Sequence, residues 1–326
     1  MIETTRDAIA NGVLPNVDAV LQVREGVASP SGMRFVDLTP TRGIALRILP
    51  DRGFDVGSAH FNGFPLAWVS RIGEVAPLAA PIEMEWGDAF GGGLVVTCGL
   101  RNVGMPSEGH GLHGTFSHLR ATGVSIERVS DGEGHLRASA SIVDDADPCV
   151  LRVDRTIATH AGVGRMELTD VTTNLGSAAT EAPLLYHLNF GYPLWSGRAS
   201  LEMAVERTVA RDEASVPAID AWTSPHPVGQ GPEWVLEHAP VTVDGRAAAR
   251  IVSPDAGIEV VVSWGTDTLP LVNQWIDGNP GMNVLGIEPA NCTTRGRAHE
   301  RASGTMPMLE PGQDRTTSIV VEARLL

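Results

Sequence analysis

Apolar and polar residues alternate with a period of two along much of this 326-residue chain. Ile44–Leu49, Leu136–Val143, Val150–Ile157, Arg165–Val171, Leu201–Val209, Ile258–Trp264 and Thr316–Leu326 each set an apolar face against a polar one, the pattern of a half-buried β-strand. Asn62-Gly63, Asp131-Gly132, Asp244-Gly245 and Asp277-Gly278 punctuate these segments, and such dipeptides supply the left-handed backbone of tight hairpins. Helical periodicity is scarce. Only the first 25 residues and Asp212 to Ala221 suggest a helix, in keeping with 36 glycines and 22 prolines. Many short strands with frequent turns predict an all-β protein, a large antiparallel β-sandwich rather than a βαβ array. No internal repeat or low-complexity linker divides the chain. Residues 1–326 therefore read as a single β domain with residues 1–36 as an N-terminal extension packing on it; a split near the proline- and glycine-rich stretch Ser224–Pro232 is the alternative.

Composition narrows the function classes. An apolar fraction of 43% and a charged fraction of 19% suit a globular core. All 24 basic residues are arginine, set against 39 acidic ones, for a net charge of −15. Without a lysine, neither a P-loop phosphate site nor Schiff-base chemistry is available. The acidic balance argues against nucleic acid as a partner, and no apolar run is long enough to cross a membrane. The N-terminus shows no apolar signal-peptide core, and Cys98, Cys149 and Cys292 have no metal-ligand spacing and cannot all pair. A reducing, cytoplasmic setting is expected, with a homodimer left open.

Three separated stretches carry candidate chemistry. Gly109-His-Gly-Leu-His-Gly114 fits the dinucleotide pattern G-x-G-x-x-G, but it follows the polar Met105–Glu108 and precedes no helix, so a nucleotide is rejected. Its glycines suit a backbone passing close to a ligand that His113 addresses. His110 and His113 also form an H-x-x-H pair; a zinc or manganese site from His110, His113, His187 and Glu288 is the alternative on ligand chemistry, although no metal is assigned. His187 lies in the apolar run Pro183–Gly191, and Asn189, two residues on, shares its face while Tyr186 takes the opposite one. Glu288 closes the apolar run Val284–Ile287. It is either paired with Arg295, Arg297 or Arg301 or held for proton transfer, with burial lifting its pKa toward neutrality. Arg52 and Asp55 in Pro50–Gly57 suit a structural ion pair or a clamp on a substrate hydroxyl. Gln274, Trp275 and Asp277 combine an amide, an indole and a carboxylate suited to a sugar. Gly91-Gly-Gly93 marks a strand that another group approaches closely.

Taken in order, Pro50–Gly57, Gly91–Gly99, Leu112–Gly114, Leu185–Asn189 and Gly286–Pro289 resemble the aldose 1-epimerase (galactose mutarotase-like) superfamily, in a divergent branch, over roughly Asp37 to the C-terminus. The resemblance implies a β-supersandwich and cofactor-free interconversion of sugar anomers. It implies Glu288 as the base that takes the anomeric proton, His187 as the acid at the ring oxygen and His113 assisting there. Arg52, His110, Asn189, Gln274, Trp275 and Asp277 are the candidate substrate ligands. Gly91 stands where related mutarotases often carry an arginine, and the asparagine-rich stretch around the acid histidine is altered, so the sequence does not name the sugar. A monosaccharide or modified sugar is the expected partner. Two other functions fit the same residues: isomerisation or epimerisation at carbon 2 or 3, with a metal at His110 and His113, and carbohydrate binding without catalysis.

Overall fold

The computed structural model describes residues 5–79, 81–145, 150–226, 229 and 231–326. Two large antiparallel sheets form the body. One has eight strands in the order Ser200–Met203, Arg246–Ser253, Ile258–Gly265, Asp314–Leu325, Arg165–Asn174, Leu151–His160, His135–Asp144 and Thr122–Val129. The other has six, in the order Val205–Ala210, Trp234–Pro240, Leu271–Asp277, Val284–Ala290, Leu184–Phe190 and Val96–Gly99. A five-stranded meander, Leu21–Val27 through Phe64–Pro65, packs beside them, and Thr180–Glu181 pairs with Met308–Leu309.

Most period-2 segments become strands at nearly their predicted limits. Arg165–Asn174 alternates intermediate and buried residues along its whole length, as a strand with one core-facing side must. Leu201–Val209 is an exception: it breaks at Ala204 into two strands that belong to different large sheets. Asp212–Ala221 forms only a 3-10 helix, Glu213–Asp220, whose N-terminus Asp212 caps by accepting from Ser215 N. The residues predicted as an N-terminal extension include a short helix, Thr5–Ala10, and the strand Leu21–Val27, which pairs along its length with Arg34–Pro40. Cys149 lies outside the described residues.

Strand Leu184–Phe190 shows how the layers meet, since every one of its residues is buried. Leu184, Tyr186, Leu188 and Phe190 join the main core between the sheets, while Leu185 joins a second cluster with Trp86 and Cys98 on the far side. Tyr186 donates to Asp170 of the eight-stranded sheet at 2.7 Å. Asp170 in turn accepts from the fully buried Arg155, which also reaches Asp55, Thr97 and the carbonyl of Gly53. Asp55 is thus the partner of Arg155 rather than of Arg52, which correction follows from two buried carboxylates converging on one guanidinium. By the alternation of a strand, His187 faces away from this core, toward the outer side of the six-stranded sheet.

Candidate active site

The register of the six-stranded sheet assembles the site. Leu188 pairs with Ile287 and Leu185 with Ala290, which sets His187 opposite Glu288 on neighbouring strands. Val96 pairs with His187, and Asn273 with Glu288, so the row continues across the sheet. Trp275 pairs with Gly286 one step along, on the same face. A Cβ on Gly286 would come within 2.7 Å of Glu288 Oε1 and 3.2 Å of His187 Cε1, so the absence of a side chain there makes room for the pair.

His187 Nε2 lies 3.1 Å from Glu288 Oε1, with both side chains almost wholly buried (5% and 2% exposed). None of the arginines that could have neutralised Glu288 does so. Arg295 pairs with Glu237, and Arg297 and Arg301 pair with Glu108 and Glu181. Burial therefore pushes the Glu288 carboxyl up to about 8, with Arg211 opposing the rise and Glu233 adding to it. Burial likewise takes His187 down to about 3. Both shifts come first from burial, so near neutral pH the site rests as a carboxylic acid beside a neutral imidazole.

His113 arrives from the loop on the other side. Its ring centroid is 5.8 Å from that of His187 and 4.7 Å from that of Trp86. Its Nδ1 accepts from Gly104 N at 3.2 Å, which leaves the remaining proton on Nε2 and makes that atom a donor. Burial first, then the neighbouring His187 and Arg211, hold it well below its ordinary pKa. Gly104 has a left-handed backbone (φ 74°), and a Cβ there would lie 1.8 Å from the Thr294 carbonyl oxygen, so this anchor for His113 requires glycine.

These groups line a cavity of about 260 Å³, walled by Trp86, Phe90, Trp275, Met84, Met105 and Met282. Trp275 meets His187 edge-on at 5.4 Å, and Phe90 lies 5.4 Å from the same ring. The volume sits just under the roughly 300–1,000 Å³ of drug-sized ligand sites and suits one small ring. A larger cavity, about 570 Å³, opens near Arg42 and Phe61, but its carboxylates Glu259 and Glu322 are paired with arginines and it holds no imidazole. The imidazoles and the Glu288 carboxyl line the smaller one.

Of the nine residues singled out from the sequence, the fold brings His113, His187, Trp275 and Glu288 to this cavity. The other five lie outside its lining, and four of them have side chains bonded to protein partners. Arg52 is buried in a turn and donates to the Val75 carbonyl at 3.4 Å. Asn189 shares the face of His187 but its amide donates to the carbonyls of Gly93 and His187. Gln274 is bound to His238 and the carbonyl of Trp222. Asp277 closes a turn by accepting from the backbone and side chain of Asn279, and His110 pairs backbone groups with Ser107 in a tight turn. With His110 away from the cavity, the four-residue metal set is not assembled, and no group of three His, Cys, Asp or Glu side chains able to hold a metal ion occurs among the described residues. The triple glycine precedes strand Val96–Gly99 instead of forming one, with Gly92 in an isolated bridge to Val69, but the close approach is present, since a Cβ on Gly92 would meet the Trp68 carbonyl at 2.6 Å. Sequence reasoning passed over Arg211, Glu233 and Thr294, which all reach the cavity. Glu233 accepts from Trp275 Nε1 at 2.8 Å and lies 3.6 Å from Arg211.

A family model described as a domain of unknown function (DUF4432) matches residues 30–323. No curated protein matches the chain. Among solved structures, a candidate aldose 1-epimerase from Klebsiella pneumoniae superposes with a TM-score of 0.86 at 18% identity, covering 92% of this chain and 83% of its own. A galactose mutarotase-like protein from Clostridium acetobutylicum gives 0.65 at 13% identity, covering 94% and 100%. A galactose 1-epimerase from Lactobacillus acidophilus gives 0.57 at 11%, covering 94% and 99%. The fold is therefore the galactose mutarotase-like β-sandwich.

Proposed function

The chain belongs to the DUF4432 family, whose description assigns no chemistry, and from the site we propose that it is a carbohydrate isomerase that interconverts the anomers of a sugar by acid–base ring opening. The observation that supports this most is the direct 3.1 Å contact of His187 with a Glu288 that no arginine neutralises, in a cavity sized for one ring.

Anomerisation removes a proton from the anomeric hydroxyl and delivers one to the ring oxygen, then reverses both transfers on the other face of the carbonyl. It needs a site that holds one mobile proton and can pass it either way. The Glu288–His187 pair does so in two arrangements of equal total charge: carboxylic acid with neutral imidazole, or carboxylate with imidazolium. In the second, Glu288 is the base and His187 the acid; the first runs the same exchange with the roles reversed. A carboxyl poised near 8 is close to the operating pH, where general acid–base catalysis is most effective. His113, fixed as an Nε2–H donor, offers a hydrogen bond to the ring oxygen as charge develops there. Each proton-transfer group typically contributes about 10²- to 10⁴-fold, enough for a reaction that water alone already performs slowly.

Saturation-transfer NMR on a panel of aldoses, ketoses and uronates tests the reading. Accelerated exchange between anomers, abolished in Glu288→Gln, is expected. Solvent deuterium appearing at a carbon would move the reaction to carbon 2 or 3, since anomerisation exchanges hydroxyl protons only. Binding without exchange by the parent protein would leave a carbohydrate-binding protein.

A further inference from the structure

The cavity has few hydrogen-bonding groups to offer a fully hydroxylated sugar. Arg52, Asn189, Gln274 and Asp277 have side chains bonded to protein partners elsewhere, and His110 lies outside the lining. Its polar lining is His187, Glu288, His113 and Thr294, together with Arg211 and Glu233. His187 touches Glu288, His113 lies beside His187, and Thr294 packs against Gly104, which anchors His113. Thr294 is 4% exposed, yet its hydroxyl has no hydrogen-bond partner, so a ligand group in the cavity is the natural one. Arg211 is engaged by Asp212 and, at 3.6 Å, by Glu233.

The rest of the wall is mostly Trp86, Phe90, Leu112, Met105 and Met282, with Arg211 and Glu233 engaged with each other and Glu233 also with Trp275. It continues outward as apolar surface. Met84 and Met105 line the cavity while 54% and 42% exposed, and Ile82, two residues before Met84, is 57% exposed. The segment that carries Met84 is tied to the far wall by Leu112 N donating to the Glu83 carbonyl at 2.7 Å. Stacking on indole covers the C–H face of a sugar ring, but the hydroxyls around its perimeter would meet methionine and aromatic carbon and lose their water without replacement.

Resting on the anomerase reading above, we propose that the substrate is a deoxy or alkyl-substituted monosaccharide, its free hydroxyls confined to the edge that faces Glu288, His187, His113 and Thr294 and its apolar edge lying against Met84 and Met105. Methionine is suited to that wall because its flexible, polarisable chain adapts to irregular apolar shapes.

Matched pairs of sugars test this: D-galactose against 6-deoxy-D-galactose, D-glucose against 6-deoxy-D-glucose, and D-glucose against 3-O-methyl-D-glucose. Anomer exchange is followed by saturation-transfer NMR and binding by the fluorescence of the cavity tryptophans. In at least one pair the less hydroxylated member is expected to show kcat/KM and affinity higher by roughly tenfold for a hydroxyl that would otherwise be stranded against the wall. The double variant Met84→Gln, Met105→Gln is expected to narrow or reverse that preference. Parent sugars that turn over as well as their counterparts in all three pairs would overturn the substrate class and leave the anomerase reading standing. Tighter binding of the deoxy or methyl sugars without any exchange would uphold the ligand class and remove the anomerase reading. If no sugar of the panel binds, the substrate class falls.

Discussion

Replacement of Glu288 by glutamine should make the folded protein more stable, and increasingly so as pH rises. The unfolded carboxyl titrates at its ordinary 4.5, whereas the folded one holds its proton to about 8. Between those values folding takes up a proton, and the stability of the parent falls by about 1.4 kcal/mol for each pH unit climbed. Below about pH 4.5 both states carry the proton and nothing is lost. From about pH 5 to about pH 7, two units of this window, the parent therefore loses roughly 3 kcal/mol that Glu288→Gln keeps. His187 works in the opposite sense. Its depressed pKa contributes stability above its ordinary 6.5 that is lost as pH falls below it, but both proteins carry His187 and the contribution largely cancels in the difference. Urea unfolding followed by tryptophan fluorescence at a series of pH values, with the two proteins side by side, reads the difference directly. A gap that stays constant from pH 5 to pH 7 would refute the reasoning, because it would mean that Glu288 ionises normally in the folded protein and that water reaches it.

Activity should fall about tenfold per pH unit above about pH 8, as Glu288 loses its proton, and should show no fall between about pH 5 and pH 7; a pH profile of kcat/KM checks both limbs. His187→Ala is expected to lower kcat by about 10²- to 10⁴-fold with an unchanged fold by circular dichroism. Gly104→Ala should disrupt the anchor of His113, since the new methyl group would collide with the Thr294 carbonyl, and should be seen as a lower kcat together with a changed His113 imidazole signal in NMR. Arg155→Met leaves Asp55 and Asp170 buried without their cation and is expected to cost roughly 3–5 kcal/mol in a denaturant titration.

Much of the fold was legible because a strand with one buried face writes its period into the chain, as Arg165–Asn174 does. The break at Ala204 was not, since alternation continues through it and only the pairing partners change. Within the site, His187 and Glu288 could be found because an ionisable group inside an apolar run is an anomaly that needs a reason. Asn189 and Gln274 present the same local anomaly, and there the reason is structural: each amide satisfies buried protein carbonyls or imidazole. Sequence cannot tell these cases apart, because the partners come from Gly93, Trp222 and His238, remote along the chain. Arg211 and Glu233 were invisible for another reason. They flank strand ends, where a charged residue is ordinarily just solvated.

The reactive pair rides on two adjoining strands, Leu184–Phe190 and Val284–Ala290, buried along their whole length, whereas Trp86, Phe90 and Met84 come from the largely irregular stretch between Pro65 and Val96. The imidazole–carboxyl pair and this part of the cavity wall thus come from separable parts of the polypeptide. Exchange of that stretch between relatives would reshape one side of the cavity while the sheet kept the imidazole and carboxyl in register, and the side formed by Met105 and Leu112 would stay as it is.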